Sequence, residues 1–200
     1  MKLGFLTGCL GNITLEEKIK WAKLNNLDCV EVSCWPKVNS RDYSASDIDV
    51  EALGDKKIRS LKALLKDQNM SISSLAYYDN NLDKDINIRK GYIAHLKKVI
   101  DAAKALDVKL VGTFVGRNED LTIEKNFDLF EQEFTPLVAY ANKSGVKLMI
   151  ENCPMPGWNR DGGAGTISYS PELWDEMFRR IPDKNFGLNF DPSHLMWLKV

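Results

Sequence analysis

The chain has 200 residues, of which 44% are hydrophobic and 28% charged, and its formal net charge is −1. This length suits one domain with a sizeable core, and the balanced charge gives no electrostatic footprint for nucleic acid. No run of about eighteen apolar residues occurs, so we expect no membrane-spanning helix. The short apolar start at residues 2–7 is typical of a first strand rather than a signal peptide.

Four cysteines are scattered through the sequence without a Cys-x-x-Cys pair, and the chain has only two histidines. A zinc finger or zinc ribbon is therefore not supported. We expect reduced, mostly buried thiols in a reducing cytoplasm, and hence a cytoplasmic protein. The cysteines are Cys9, Cys29, Cys34 and Cys153.

The first half of the chain alternates strand and helix patterns. Thr14 and Glu17 have the spacing of a capping box, which predicts that a helix begins there. Apolar residues at three- and four-residue spacing predict two more helices, one from about Ile58 and one over residues 88–106. The polar stretch over residues 36–55 is too long for a plain connection and is predicted to form part of a rim over a site. The strands predicted here are residues 2–7, 29–34, 71–78 and 108–115.

The second half continues the same alternation. Ser170 is a favourable N-cap and Pro171 a favourable first helical residue, so we predict a helix that ends near Arg180. The other predicted elements are a helix over residues 123–141 bent near Pro136, a strand ending at Glu151, a strand ending at Asp191 and a helix beginning at Leu195.

Six strands that alternate with helices predict an α/β fold with parallel strands and helical crossovers. A doubly wound nucleotide-binding sheet should carry a glycine-rich turn after strand one, but residues 7–11 contain two glycines without the required third. We therefore favour a TIM (β/α)8 barrel, which needs roughly 250 residues. The chain would cover about the first six β/α units, with residues 1–200 forming a single domain that is the N-terminal part of the barrel.

Two carboxylates and a histidine follow the last two predicted strands. Glu151 ends strand five, Asp191 ends strand six, and His194 comes three residues later. Chemistry in α/β folds lies at the carboxyl ends of parallel strands, where these side chains should meet. Carboxylates and an imidazole suit a hard divalent metal such as Mn²⁺ or Mg²⁺.

These segments also resemble a known family. The chain is similar to the sugar phosphate isomerase/epimerase family, which has a xylose isomerase-like TIM barrel, and the similarity is strongest at residues 113–117, 150–152 and 189–194. The resemblance implies a divalent metal ion (Mn²⁺, Mg²⁺, Co²⁺ or Zn²⁺) and isomerisation or epimerisation of a sugar or sugar phosphate through an enediolate intermediate. It implies that Glu151 and Asp191 bind the metal, and that a His and a Glu from strands seven and eight, beyond Val200, complete the site.

The resemblance also suggests catalytic and substrate-binding residues. Glu151 would act as the catalytic base, and His194 matches a position that contacts and polarises the substrate. Four more side chains could bind substrate, although each has a plain structural alternative as a surface, loop or core residue. They are Trp35, Arg117, and Trp158 and Arg160, which precede a glycine-rich segment predicted to cover the site.

Three other functions remain open. The first is a metal-dependent lyase or glycoside-cleaving enzyme that acts on 3-keto sugars on the same barrel. The second is a non-catalytic sugar-binding barrel. The third, an apurinic endonuclease, needs a histidine-rich zinc site and a basic groove, which two histidines and a near-zero charge do not favour. We expect a small-molecule partner, a possible homo-oligomer, and no nucleic acid or membrane.

Overall fold

The computed structural model describes residues 1–36 and 46–199. Within them six strands alternate with six α-helices, and the strands lie in the sheet in the order in which they occur in the chain. In a doubly wound sheet the strand order reverses beside the first strand, and no such reversal occurs among these six strands. This order confirms the predicted first six units of a TIM barrel. No helix of the described residues is long and apolar enough to cross a membrane.

The bounds of the elements agree closely with the sequence analysis. The strands are β1 (Gly4–Leu6), β2 (Cys29–Ser33), β3 (Ser71–Ala76), β4 (Leu110–Thr113), β5 (Lys147–Glu151) and β6 (Phe186–Asn189). The helices are α1 (Leu15–Leu24), α2 (Asp55–Asp67), α3 (Ile86–Leu106), α4 (Ile123–Ser144), α5 (Pro171–Arg180) and α6 (Pro192–Leu198).

Two predicted boundaries near the end of the chain are wrong. Strand β6 ends at Asn189 rather than at Asp191, and α6 begins at Pro192 rather than at Leu195. The reason is that Asp191 is the N-cap of α6, where its side chain accepts a hydrogen bond from the backbone of Ser193. Residues 37–45 of the predicted rim lie outside the described residues.

The chain divides into two compact units, of which the first comprises residues 1–77 and 98–111. In this unit β2 pairs in parallel with both β1 and β3. The predicted capping box is confirmed, because the Thr14 hydroxyl accepts from the Glu17 backbone while the Glu17 carboxylate accepts from Thr14. Lys18 is fully buried, and its ammonium group donates to the nearly buried Asp47 at 2.7 Å.

The second unit comprises residues 78–97 and 112–200. Its strands β5 and β6 pair in parallel, with Glu151 opposite Asn189 at their carboxyl ends. Beneath them α4 contributes buried aromatic rings, and the ring centroid of Phe130 lies 6.0 Å from that of Phe186 on β6. Helix α4 continues through Pro136 without interruption. This packing fixes the strands that carry the predicted site residues.

The turn after β4 requires a glycine. Gly116 has a φ of +88°, and a Cβ added there would lie 1.9 Å from the side-chain oxygen of Asn80. That same oxygen accepts a hydrogen bond from the backbone of Arg117 at 2.9 Å. The close approach therefore fixes the loop after β4 against the segment after β3 in the second unit.

Replacing Gly116 by alanine should destabilise the protein through both strain and collision. Gly145 is a matched control, because its φ is +70° and a Cβ there would have open space. We expect Gly145→Ala to cost about 1–2 kcal/mol through backbone strain alone. Gly116→Ala should cost about 1–3 kcal/mol more because of overpacking. Urea unfolding of both variants measures the difference, and equal losses would contradict this account of the turn.

Candidate metal centre

The imidazole of His194 lies between the two predicted carboxylates. Its Nε2 atom is 3.2 Å from Oε1 of Glu151 and 3.4 Å from Oδ2 of Asp191. Glu151 is the last residue of β5, and the other two residues lie at the start of α6. The side chains are 16%, 39% and 23% exposed for Glu151, Asp191 and His194, so a small solute can reach them.

Asn152 holds the two carboxylates in register. Its side-chain amide donates to the backbone oxygen of Asp191 at 2.8 Å, and its side-chain oxygen accepts from the backbone N–H of Asp191 at 2.7 Å. Asn152 is fully buried, so water does not compete for its side-chain amide in either hydrogen bond. The residue after Glu151 is thereby tied directly to Asp191.

The environment of Asp191 keeps its side chain ionised. Burial alone would raise the pKa of Asp191. Hydrogen bonds from Ser193 and the charge of His194 lower it by more, so the pKa lies below its ordinary value. The Ser193 backbone N–H donates to Oδ1 at 2.8 Å and leaves Oδ2 facing His194. A charged carboxylate in this position can bind a cation.

A third potential ligand, Cys153, was not predicted from the sequence. The Cys153 Sγ, a carboxylate oxygen of Glu151 and a ring nitrogen of His194 all lie within 4.8 Å of one another. No pairwise motif points to this cysteine, since its partners are two and forty-one positions away in the sequence. Its position two residues after the strand-five acid was the only available signal.

The donor set fits a divalent metal ion. Carboxylate oxygen, imidazole nitrogen and thiolate sulfur are the groups that bind first-row divalent ions in proteins. The carboxylates of Glu151 and Asp191 approach one imidazole nitrogen from two elements, where a bound cation would relieve the repulsion between their charges. Glu151 belongs to the group of side chains that could share one ion, and Asp191 contacts that group through His194.

A cavity of about 520 Å³ lies beside this cluster. Cys153 and His194 contribute to its wall, together with the aromatic side chains of Tyr169 and Trp197. Its volume is within the range of small-molecule sites. Trp197 is 85% exposed, so its ring is available to a ligand in the cavity.

The loop after β5 is attached to the loop after β4. Arg160 pairs with Glu119 at 2.9 Å and with Asp120 at 2.6 Å, and Arg117 donates to the backbone oxygen of Ala164 at 3.2 Å. Hydrogen bonds from Lys84 and from the Arg160 backbone lower the pKa of Glu119 to about 2. Both arginines predicted to bind substrate are therefore engaged with protein groups.

The two predicted tryptophans differ in their surroundings. Trp158 is half-buried in the loop after β5, and its ring stands edge-on to Phe114 with centroids 5.5 Å apart. Trp35 lies in the first unit, where it is 4% exposed and packs edge-on to Tyr77. Trp35 is thus one of the buried core residues of the first unit.

Residues 19–199 match the family described as xylose isomerase-like TIM barrel. The chain belongs to this family. A protein of Bacillus subtilis (strain 168), described as uncharacterized protein YfiH, is 24% identical over 99% of the chain and 66% of its own length. The chain therefore spans about two thirds of that relative's length.

Solved structures show the same fold at low sequence identity. The crystal structure of a D-tagatose 3-epimerase-like protein superposes with a TM-score of 0.72 and 22% identity, covering 97% of this chain and 66% of that one. The IOLI protein, solved with a bound zinc atom, gives a TM-score of 0.71 and 19% identity, covering 98% and 68%. The neighbours thus include a metal-containing barrel and an epimerase-like protein.

Substituting Asn152 should disturb the cluster without touching a donor atom. Asn152→Ala leaves the backbone N–H and oxygen of Asp191 without their partners, which should cost about 1–3 kcal/mol of stability. Asn87→Ala is the control, because Asn87 is exposed on α3 and its loss should change stability by less than about 0.5 kcal/mol. Thermal or urea unfolding measures both, and equal stability of the two variants would contradict the assigned role.

Proposed function

We propose that this protein is a metal-dependent isomerase or epimerase that acts on a sugar or sugar phosphate through an enediolate intermediate. The observation that carries the proposal is the convergence of Glu151 and Asp191 on Nε2 of His194, at 3.2 and 3.4 Å. Membership of the xylose isomerase-like family and the epimerase-like neighbour support it. We also propose that residues 1–200 form the N-terminal part of a barrel in which strands seven and eight add ligands.

Glu151 is the proposed catalytic base. When bound, a divalent cation supplies electrostatic stabilisation for the negative charge of an enediolate. One oxygen of the Glu151 carboxylate would hold the cation. The other would take the proton from the carbon next to the substrate carbonyl. Its partial exposure at the end of β5 lets a substrate approach from solvent.

Asp191 and His194 would hold the cation beside the base. Asp191 is fixed by Asn152 and by its own capping bond to Ser193, so its free oxygen has a defined direction. The His194 Nε2 lies 3.2 Å from the Glu151 carboxylate and 3.4 Å from the Asp191 carboxylate. We therefore assign His194 to the metal, rather than to the substrate contact that the resemblance implied.

The substrate would occupy the cavity beside the cluster. Tyr169 and Trp197 offer aromatic surface of the kind on which the apolar face of a sugar ring packs. Arg117 and Arg160 would act indirectly, because their contacts fix the loop that contributes Gly162 to Ala164 to the cavity wall. Trp158 supports the same loop through Phe114.

Metal content gives the first test. The purified full-length protein should contain about one divalent ion per chain, as expected for one cluster. Glu151→Gln should lower this content strongly, because a neutral amide replaces a charged ligand. Asp175→Asn, which makes the same change at an exposed position on α5, should retain the metal. Elemental analysis of the three proteins decides, and a metal-free protein in all three would contradict the proposal.

Proton exchange gives the test of the reaction. Incubation of the metal-loaded protein with ketoses and ketose phosphates in D₂O should replace the hydrogen on the carbon next to the carbonyl, as NMR would report. Glu151→Gln should lose at least about a hundredfold of this exchange, the typical contribution of a general base. Exchange accompanied by loss of a hydroxyl or glycosidic bond would favour the lyase alternative. Binding of sugars without exchange would favour the non-catalytic one.

A further inference from the structure

We propose that Cys153 is a metal ligand, so that the centre formed by Glu151, Cys153 and His194 selects zinc or cobalt(II) over magnesium. The inference rests on the proposed function, because it concerns the metal of the same site. It adds a sulfur donor to a cluster that was predicted from the sequence to consist of carboxylates and an imidazole. The consequence is a softer site than the one expected from Glu151 and Asp191.

The distances are compatible with one shared ion. The three donor atoms lie within 4.8 Å of one another, and the His194 and Glu151 donors are already 3.2 Å apart. Donor atoms around a tetrahedral zinc ion are separated by roughly 3.3–3.6 Å, as follows from zinc–ligand bonds of about 2.0–2.3 Å. Rotation of the Cys153 and Glu151 side chains that moves their donor atoms by about one ångström therefore suffices to bring the three donors to these separations.

The backbone at Cys153 is fixed independently of any metal. Its carbonyl oxygen accepts a hydrogen bond from the fully buried Thr166 hydroxyl at 2.7 Å. The preceding residue, Asn152, is bonded twice to Asp191. The backbone of Cys153 is thus held by Thr166 and, through the neighbouring Asn152, by Asp191, and its half-buried side chain lines the cavity.

Ligand chemistry then decides the metal. Magnesium and manganese favour sites made of oxygen, whereas thiolate sulfur favours zinc and other softer ions. Glu151 and Asp191 alone would suit magnesium. Addition of the Cys153 thiolate, with the imidazole of His194, gives the mixed nitrogen, oxygen and sulfur set typical of zinc.

The other cysteines provide internal controls. Cys9 is exposed and lies in the first unit, whereas the ligands of the proposed centre all lie in the second. Cys34 is buried, and burial raises the pKa of its thiol, which makes it a poor nucleophile. Cys9 should therefore react with an alkylating reagent whether or not metal is present.

Cobalt(II) substitution tests the sulfur ligand directly. Metal-free full-length protein is titrated with cobalt(II), and the near-ultraviolet charge-transfer band of a thiolate–cobalt bond is recorded. We expect the band in the unmodified protein and in Cys9→Ser, and its loss in Cys153→Ser. Zinc affinity should fall about tenfold or more in Cys153→Ser, while magnesium affinity remains unchanged.

A second measurement needs no variant. Zinc should protect Cys153 of the unmodified protein from alkylation, while Cys9 in the same sample stays reactive, as peptide mass spectrometry would show. Cobalt binding without the band, or zinc binding without protection, would overturn the cysteine ligand and leave the carboxylate site intact. Failure of the unmodified protein to bind any cobalt or zinc would overturn both this inference and the metal dependence of the proposed function.

Discussion

The double hydrogen bond between the Asn152 side chain and the backbone of Asp191 is the constraint on which the proposed site depends. It joins the residue after β5 to the residue that caps α6. Parallel pairing brings the strand ends to one edge, but it leaves the residues beyond the strands free to separate. A buried amide that satisfies both backbone groups removes this freedom. The position of Asp191 relative to the end of β5 follows from it.

Electrostatics explains why such a constraint is needed. Two carboxylates held on either side of one imidazole repel each other unless positive charge lies between them. Hydrogen bonds from Ser193 and the charge of His194 outweigh the effect of burial and lower the pKa of Asp191, so its carboxylate stays ionised. A cluster that preserves negative charge at a partly exposed position is suited to hold a cation. The adjacent cavity gives that cation access to a small molecule.

The sequence predicted much of this arrangement, because the signals were local. Strand β5 is an apolar run ending in Glu151, and the capping box of α1 has a fixed spacing, so both could be recognised without tertiary information. The role of Asn152 could not, since its bonds go to a residue thirty-nine positions later. Cys153 was missed for the same reason. The end of β6 was misplaced because Asp191 serves as a helix cap rather than as a strand residue.

We propose that one divalent ion is held by Glu151, Asp191 and His194 in the second unit. Anomalous diffraction from crystals grown with zinc or manganese tests it most directly, because the signal locates the ion without assumptions about the reaction. The account predicts one strong peak about 2.0–2.3 Å from a Glu151 oxygen and the His194 Nε2, as expected for coordinated ligands. A well-ordered cluster with no peak, or an ion bound only elsewhere in the chain, would contradict it.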